Sequence, residues 1–421
     1  MDRSETLYRE EERLSPGGVS SPVRRFDPYP LFISKGRGSR VTDADGRSYI
    51  DLCMAYGPLI TGHAHPEVME AARSAIADGA VFGAPSEREL GLIRRISDAV
   101  PSAEMVRLAN SGTEATMHAI RTARGFSGRG VVAKIDGGFH GAHDAVLVSA
   151  GSGSAESTPS SAGVPADAVR NTRIVPYNDA QALSDMLESE PGIGVLIMEP
   201  VMGNVGVVPP EKGYLEDVRR ITRENEVVLI FDEVITGFRV SAGGAQALYG
   251  VVPDMTTMGK IIGGGFPAGA FAGRREIMET VAPQGPVYVA GTFAGNPVTA
   301  AAGSAQIDVM RRDGVYRDLG RRSDSLVSAI RDAFADTGVS GCVNSVGSMF
   351  SVYFGVDEVR NADDARRTDR AMFGRMFRYM LDRGIYLAPS ALEDCFMSTA
   401  HDDEDVRILS EAFRGFLEAE R

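Results

Sequence analysis

Tryptophan is absent from the 421 residues, and no function is read from its absence. Cysteine is scarce: Cys53, Cys342 and Cys395 stand far apart. Three scattered thiols supply neither a disulfide framework nor a metal motif, and they fit a reducing cytoplasm. Long apolar runs are lacking as well. The opening Met1–Thr6 has no signal-peptide core, and no stretch approaches membrane-spanning length. Basic residues are the minority, 44 against 57 acidic, for a net charge of −13. That balance argues against nucleic acid or an anionic membrane as the main partner. An anionic ligand must then be held by locally placed donors.

What the chain does have is core. At 43% hydrophobic residues it can build a large domain and a smaller one. Residues 39–52 read as a hairpin turning at Asp45-Gly46. Short apolar strands follow at 104–109, 131–135, 145–149, 173–176, 193–198 and 227–231. Helical stretches separate them, among them Ser86–Ala99, Thr113–Arg124, Asp179–Glu188 and Gly213–Asn225. This alternation predicts an α/β fold with a mostly parallel sheet covered on both faces. Ligands of such sheets sit beyond the carboxyl ends of the strands. Residues 150–169 are rich in Gly, Ser, Ala and Pro and read as a long loop, suited to a lid. Beyond about residue 311 the pattern changes to helix Tyr316–Asp336, strand Gly347–Phe354 and helices Ala362–Arg383 and Glu404–Glu420. The division expected is a large domain over 66–310 and a small α+β domain over 311–421, which residues 1–65 join.

The chemistry centres on Lys260. It ends the strand-like run from Asp254 and opens the glycine turn Ile261–Gly265. A lysine between a strand and a glycine turn can be a solvated surface charge or can reach into a site as a desolvated amine, and desolvation makes a lysine a nucleophile for a Schiff base; the apolar and glycine-rich flanks favour the second. The preceding buried strand, Val227–Phe231, ends in Asp232 and Glu233. An acid there can partner a pyridinium nitrogen, the protein's usual contribution to pyridoxal phosphate (PLP) chemistry. Asn110–Ala115 opens a helix after a strand, with Ser111, Gly112 and Thr113 forming an anion site or an ordinary N-cap. Phe139, followed by His140, can stack on a planar ring or fill the core. Glu199 and Asn204 can line a site or cap a turn. His63 and His65 flank a turn and read as packing or capping groups.

Taken together, these segments resemble the class III (subgroup II) PLP-dependent aminotransferases over nearly the whole chain. The Ser21–Arg24 block, residues 151–165 and Gly243–Gly250 point to the branch that moves an amino group within one molecule. The resemblance implies the type I fold of PLP-dependent transferases and assigns roles residue by residue. Lys260 carries the cofactor and shuttles the proton. Asp232 pairs with the ring nitrogen, Val234 presses on one ring face, and Phe139 stacks on the other with His140 beside it. Ser111, Gly112 and Thr113 hold the phosphate, and Thr292 reaches it from the neighbouring subunit of a homodimer. Asn204 and Glu393 line the substrate region. Ser21 and Arg24 take the substrate's distal carboxylate, and Tyr56 supplies an aromatic wall. This branch usually carries Tyr at position 139 and Trp at position 56. The rival expectation is a transaminase of the same fold, acting on a β- or ω-amino acid with a keto-acid acceptor.

Overall fold

The computed structural model describes residues 2–151 and 154–421. The chain forms two compact units, one of residues 67–316 with 360–363, the other of 1–66, 317–359 and 364–421.

The larger unit is built on a seven-stranded sheet. Its strands run in the order Met105–Ala109, Gly269–Gly273, Met255–Gly259, Val228–Asp232, Ile193–Met198, Val131–Ile135 and Thr172–Val175. All are parallel except Gly269–Gly273, which runs antiparallel to both neighbours. Every residue of Ile193–Met198, Val228–Asp232 and Met255–Gly259 is buried. Such continuous apolar strands belong inside a sheet covered on both faces. Ala119 and Ala123 let the helix Gly112–Ser127 approach closely, and with Ile120 they pack with Val195, Ile197, Ile230 and Phe271. Truncating such a side chain, for example Ile230→Ala, costs about 2–5 kcal/mol. Among the described residues, no helix is long and apolar enough to cross a membrane.

The smaller unit holds a four-stranded sheet of Ile33–Arg37, Arg40–Asp43, Ser48–Asp51 and Ile385–Tyr386. The hairpin turns at Gly46, whose φ of 86° suits glycine. A second sheet pairs Gly341–Val346 with Met349–Phe354 and Cys395–Phe396. Its core includes Phe350, Phe354, Phe396 and Phe413.

Three local expectations need correction. Strand Gly341–Val346 has mixed burial and no strong apolar pattern, and it pairs through Met349–Phe354. The helix expected over 362–383 is two, Ala362–Arg366 and Arg370–Leu381. Asp369 breaks it, because its side chain caps the second helix at the Met372 N–H, 2.9 Å away. The segment expected as a loop over 150–169 carries an antiparallel hairpin, Val148–Gly151 with Ser154–Pro159, and a short helix, Ala166–Val169. Its Ser and Thr residues can pair as strands as readily as they can loop. Ser152 and Gly153, also within the expected lid, lie outside the described residues.

Candidate active site

The parallel strands deliver their following residues to one edge of the sheet. Ser111 follows the first, Phe139 and His140 the Val131–Ile135 strand, Glu199 the Ile193–Met198 strand, Asp232 ends its own, and Lys260 follows Met255–Gly259. A cavity of about 430 Å³ lined by Arg219, Asp254 and Arg274 lies at the opposite edge, where the strands begin, and is separate from these residues.

Ser111 caps the helix Gly112–Ser127, its hydroxyl accepting from the Glu114 N–H at 3.1 Å. Glu114 in turn accepts from the Asn110 N–H at 2.8 Å. The first helical turn is packed to the limit. A Cβ on Gly141 would lie 2.6 Å from the Thr113 Cα, and one on Gly269 would lie 2.0 Å from the Ser111 carbonyl oxygen. Gly112 backs onto Val234, whose Cγ1 would be 3.0 Å from an added Cβ. The helix therefore offers a glycine-lined N-terminus with a hydroxyl on either side, a suitable cradle for a phosphate.

Asp232 is buried and hydrogen-bonded throughout. One oxygen accepts from His140 Nδ1 at 2.7 Å. The other accepts from the Thr257 hydroxyl at 2.9 Å and the Val234 N–H at 3.1 Å. Thr116 fixes the His140 carbonyl at 2.6 Å. The His140 Nε2 is buried with no hydrogen-bond partner. A buried polar nitrogen left in that state fits a site meant to receive another group.

Phe139 is 50% exposed, so its ring is free to cover a ligand rather than to fill the core. Its N–H donates to Glu199 Oε1 at 2.9 Å. The other Glu199 oxygen accepts from the Gly203 N–H at 2.8 Å and the Asn204 amide at 2.9 Å. Burial raises the Glu199 pKa above the usual carboxylate range, while His140 draws it down. Glu199 is thus the clamp that ties Phe139 to Asn204.

Lys260 sits at φ 46°, a left-handed conformation that costs an ordinary residue about 1–3 kcal/mol. Its strand registers with that of Asp232, Thr257 standing opposite it. The turn after Lys260 is held down by Gln306, whose side-chain amide donates to the Ile261 carbonyl at 2.7 Å. Val234 packs between Gly112 and Gly259. Thr292 is exposed, beside Gly291, whose added Cβ would meet the Asn110 amide nitrogen at 3.0 Å.

The remaining expected residues belong to the smaller unit. Ser21 precedes the turn Pro22–Arg24, and its carbonyl accepts from the Arg24 N–H at 3.1 Å. Arg24 is exposed. The Tyr56 hydroxyl donates to the Val23 carbonyl at 2.7 Å. Burial raises the Tyr56 pKa, Cys53 and Glu393 add to that, and Arg24 opposes it. Glu393 and Arg24 therefore each lie within electrostatic reach of Tyr56.

Two further residues are given no role by the sequence. Lys134 is 3% exposed and its amine donates to the Gly138 carbonyl at 2.6 Å and the Val146 carbonyl at 3.2 Å. It closes the loop that carries Phe139 and His140. In a strand it reads as an outward-facing charge, and no sequence signal marks it otherwise. Glu233 is the second carboxylate after the Val228–Asp232 strand. Its oxygens accept from the Thr236 hydroxyl at 2.9 Å, the Ala245 N–H, and the Gln246 N–H and side-chain amide at 3.2 and 2.8 Å. It anchors Gly244–Tyr249, and the adjacency of the two acids was its only visible signal.

One sheet edge thus brings together a glycine-lined helix N-terminus, a buried carboxylate, an exposed ring and a strained lysine, groups suited to a phosphorylated, ring-containing cofactor. The chain belongs to the class-III aminotransferase family, whose model matches residues 23–412. It is 51% identical over 412 residues to the glutamate-1-semialdehyde 2,1-aminomutase of Methanothermobacter thermautotrophicus, covering 97% of each chain. With that of Archaeoglobus fulgidus it shares 52% over 413 residues, covering 98% of each. An ω-transaminase from Sphaerobacter thermophilus superposes with a TM-score of 0.93 at 34% identity, over 99% of this chain and 97% of that one. A glutamate-1-semialdehyde aminomutase from Pseudomonas aeruginosa PAO1 in complex with PMP gives 0.90 at 27%, over 99% and 94%.

Proposed function

We propose that this chain converts glutamate 1-semialdehyde to 5-aminolevulinate, a precursor of tetrapyrroles, through diaminovalerate and with PLP and its amine form PMP as cofactor. The observation that carries this is identity of 51% and 52% to aminomutases over nearly the full length. When bound, the cofactor supplies an electron-poor ring and an exchangeable amino group. The residues present fit it.

Asp232 keeps a ring nitrogen protonated, and His140 and Thr257 fix the carboxylate in place. Phe139 and Val234 cover the two ring faces, and His140 lies beside Phe139. Ser111, Gly112 and Thr113 hold the phosphate, joined by Thr292 from a second copy of the chain in a homodimer. Lys260 would attach the cofactor, and its Nζ would carry the proton between the cofactor and the substrate carbon whose amino group is exchanged. Ser21 and Arg24 bind the substrate's distal carboxylate, with Tyr56 as a wall. Asn204 and Glu393 line the remaining space. A carboxylate at position 393 repels an α-carboxylate and favours an ammonium. The segment 150–169 retains the diamine, and the enzyme works in the cytoplasm.

One observation favours a second reading. The superposed ω-transaminase is closer than the aminomutase structure, 34% against 27% identity. A transaminase needs a separate keto-acid acceptor, and a mutase needs none. Purified protein given glutamate 1-semialdehyde alone should form 5-aminolevulinate. Turnover that begins only when a keto acid is added would establish the transaminase instead.

A further inference from the structure

Met54, Ala55 and Tyr56 are three consecutive non-glycine residues at positive φ, 44°, 55° and 63°. Such a run persists only where its surroundings over-determine it, and strain of this kind gathers at functional sites. Here Asp51 supplies the restraint. One of its oxygens accepts from the Cys53 and Met54 N–H groups at 2.8 and 2.9 Å. The other accepts from His63 Nε2 at 2.7 Å. His401 Nε2 donates to the Asp51 carbonyl at 3.1 Å. The strained turn delivers the Tyr56 hydroxyl to the Val23 carbonyl at 2.7 Å. Val23 is the residue before Arg24, in a turn also closed by the Arg24 N–H to the Ser21 carbonyl and the Arg25 N–H to the Pro22 carbonyl, each at 3.1 Å. Among the described residues, no ion pair joins Arg24 to a carboxylate, and its side chain is exposed.

We propose that Tyr56 is a positioning residue for Arg24: its hydroxyl pins the Ser21–Arg24 turn, so that the guanidinium is held where it receives the substrate's distal carboxylate. The inference rests on the role given to Arg24 in the proposed function. It separates the Tyr56 hydroxyl, which acts through Val23 and Arg24, from the Tyr56 ring, which forms the wall. A tryptophan there would keep a wall and lose this hydroxyl.

Tyr56→Phe keeps the ring and the backbone preferences and removes only the hydroxyl. The KM for glutamate 1-semialdehyde should rise about 2- to 10-fold, the equivalent of one hydrogen bond, with kcat held within about 2-fold. The cofactor absorbance and the melting midpoint should match those of the parent protein. Arg24→Ala should also raise KM, and Tyr56→Phe added to Arg24→Ala should raise it no further, because the two act as one unit. An unchanged KM in Tyr56→Phe, alongside a raised one in Arg24→Ala, overturns the inference and leaves the substrate reading standing. The same holds if the two effects on KM multiply independently. An unchanged KM in Arg24→Ala overturns the role of Arg24 itself, and the inference falls with it.

Discussion

Asp232 shows how one side chain can be both legible and underestimated. Its place at the end of an apolar strand was enough to mark it as a partner for a ring nitrogen. The three groups that hold it, His140, Thr257 and the Val234 N–H, come from separate segments. Only the fold reveals them. Asp232→Asn preserves shape and removes the charge. Turnover should fall by about 100-fold or more, the scale of losing one preorganised electrostatic contact, with the melting midpoint little changed. Steady-state assays and thermal melts of the purified variant would check this, and turnover near the parent rate would remove Asp232 from the mechanism. Glu233 is the opposite case. Adjacent in sequence, it looks equally catalytic, yet its carboxylate is spent on Thr236, Ala245 and Gln246. Strand alternation explains the difference, since successive residues point to opposite faces. A Cβ on Gly244, at φ 74°, would lie 2.2 Å from Glu233 Oε2. Gly244→Ala should therefore destabilise the protein by about 1–3 kcal/mol, visible as a lower denaturant midpoint.

At the scale of elements, the parallel strands and their helices were readable because burial on both faces writes continuous apolar runs. Gly269–Gly273 was not, because Gly-Ala-Phe-Ala-Gly carries little branched character. The loop holding Phe139 and His140 was located, but its fastening was invisible. Lys134 fastens it, and burial pulls that amine from its ordinary value of 10.5 down to about 8, against the opposing pull of Glu199 and Asp136. A neutral amine still has enough N–H groups for the Gly138 and Val146 carbonyls. With the folded value lowered, the unfolded chain holds the extra proton between about pH 8 and 10.5. The penalty of this group is full below pH 8 and is relieved as pH rises towards 10.5; it amounts to about 3 kcal/mol. The parent protein should therefore gain stability relative to Lys134→Met when the pH goes from about 7 to about 9.5. Denaturation midpoints of both proteins at each pH would show it. A constant difference between them would mean that Lys134 does not titrate in this range. Lys134→Met also strips two buried carbonyls of their donor, so cofactor should dissociate about 10-fold more readily.

At the scale of the whole molecule, the outer surface of the larger unit bears on how many chains complete a site. Tyr288 is 73% exposed, Phe293 59% and Phe82 50%. The Asn296 amide ties the two segments together by donating to the Ala80 carbonyl at 2.9 Å. Exposed aromatic groups of this kind suit an interaction surface, and a second copy of the chain is the partner proposed for it. Thr292 lies within the same stretch and is exposed, while its neighbour Gly291 rests on Asn110 of its own chain. Two arrangements thus compete: Thr292 completes the phosphate cradle of its own chain or that of the partner. Sequence alone could suggest the second only by resemblance, because no local pattern encodes which chain a loop serves. Mixed dimers separate the two. Lys260→Ala and Thr292→Ala, each impaired alone, would be dissociated, mixed in equal amounts and allowed to reassociate. If Thr292 serves the partner, half the dimers carry one intact site, and activity should recover to about a quarter of the parent level. If Thr292 serves its own chain, every site in every mixed dimer keeps one defect. Activity then stays at the level of the separate variants, even when native mass measurement shows that the subunits have exchanged.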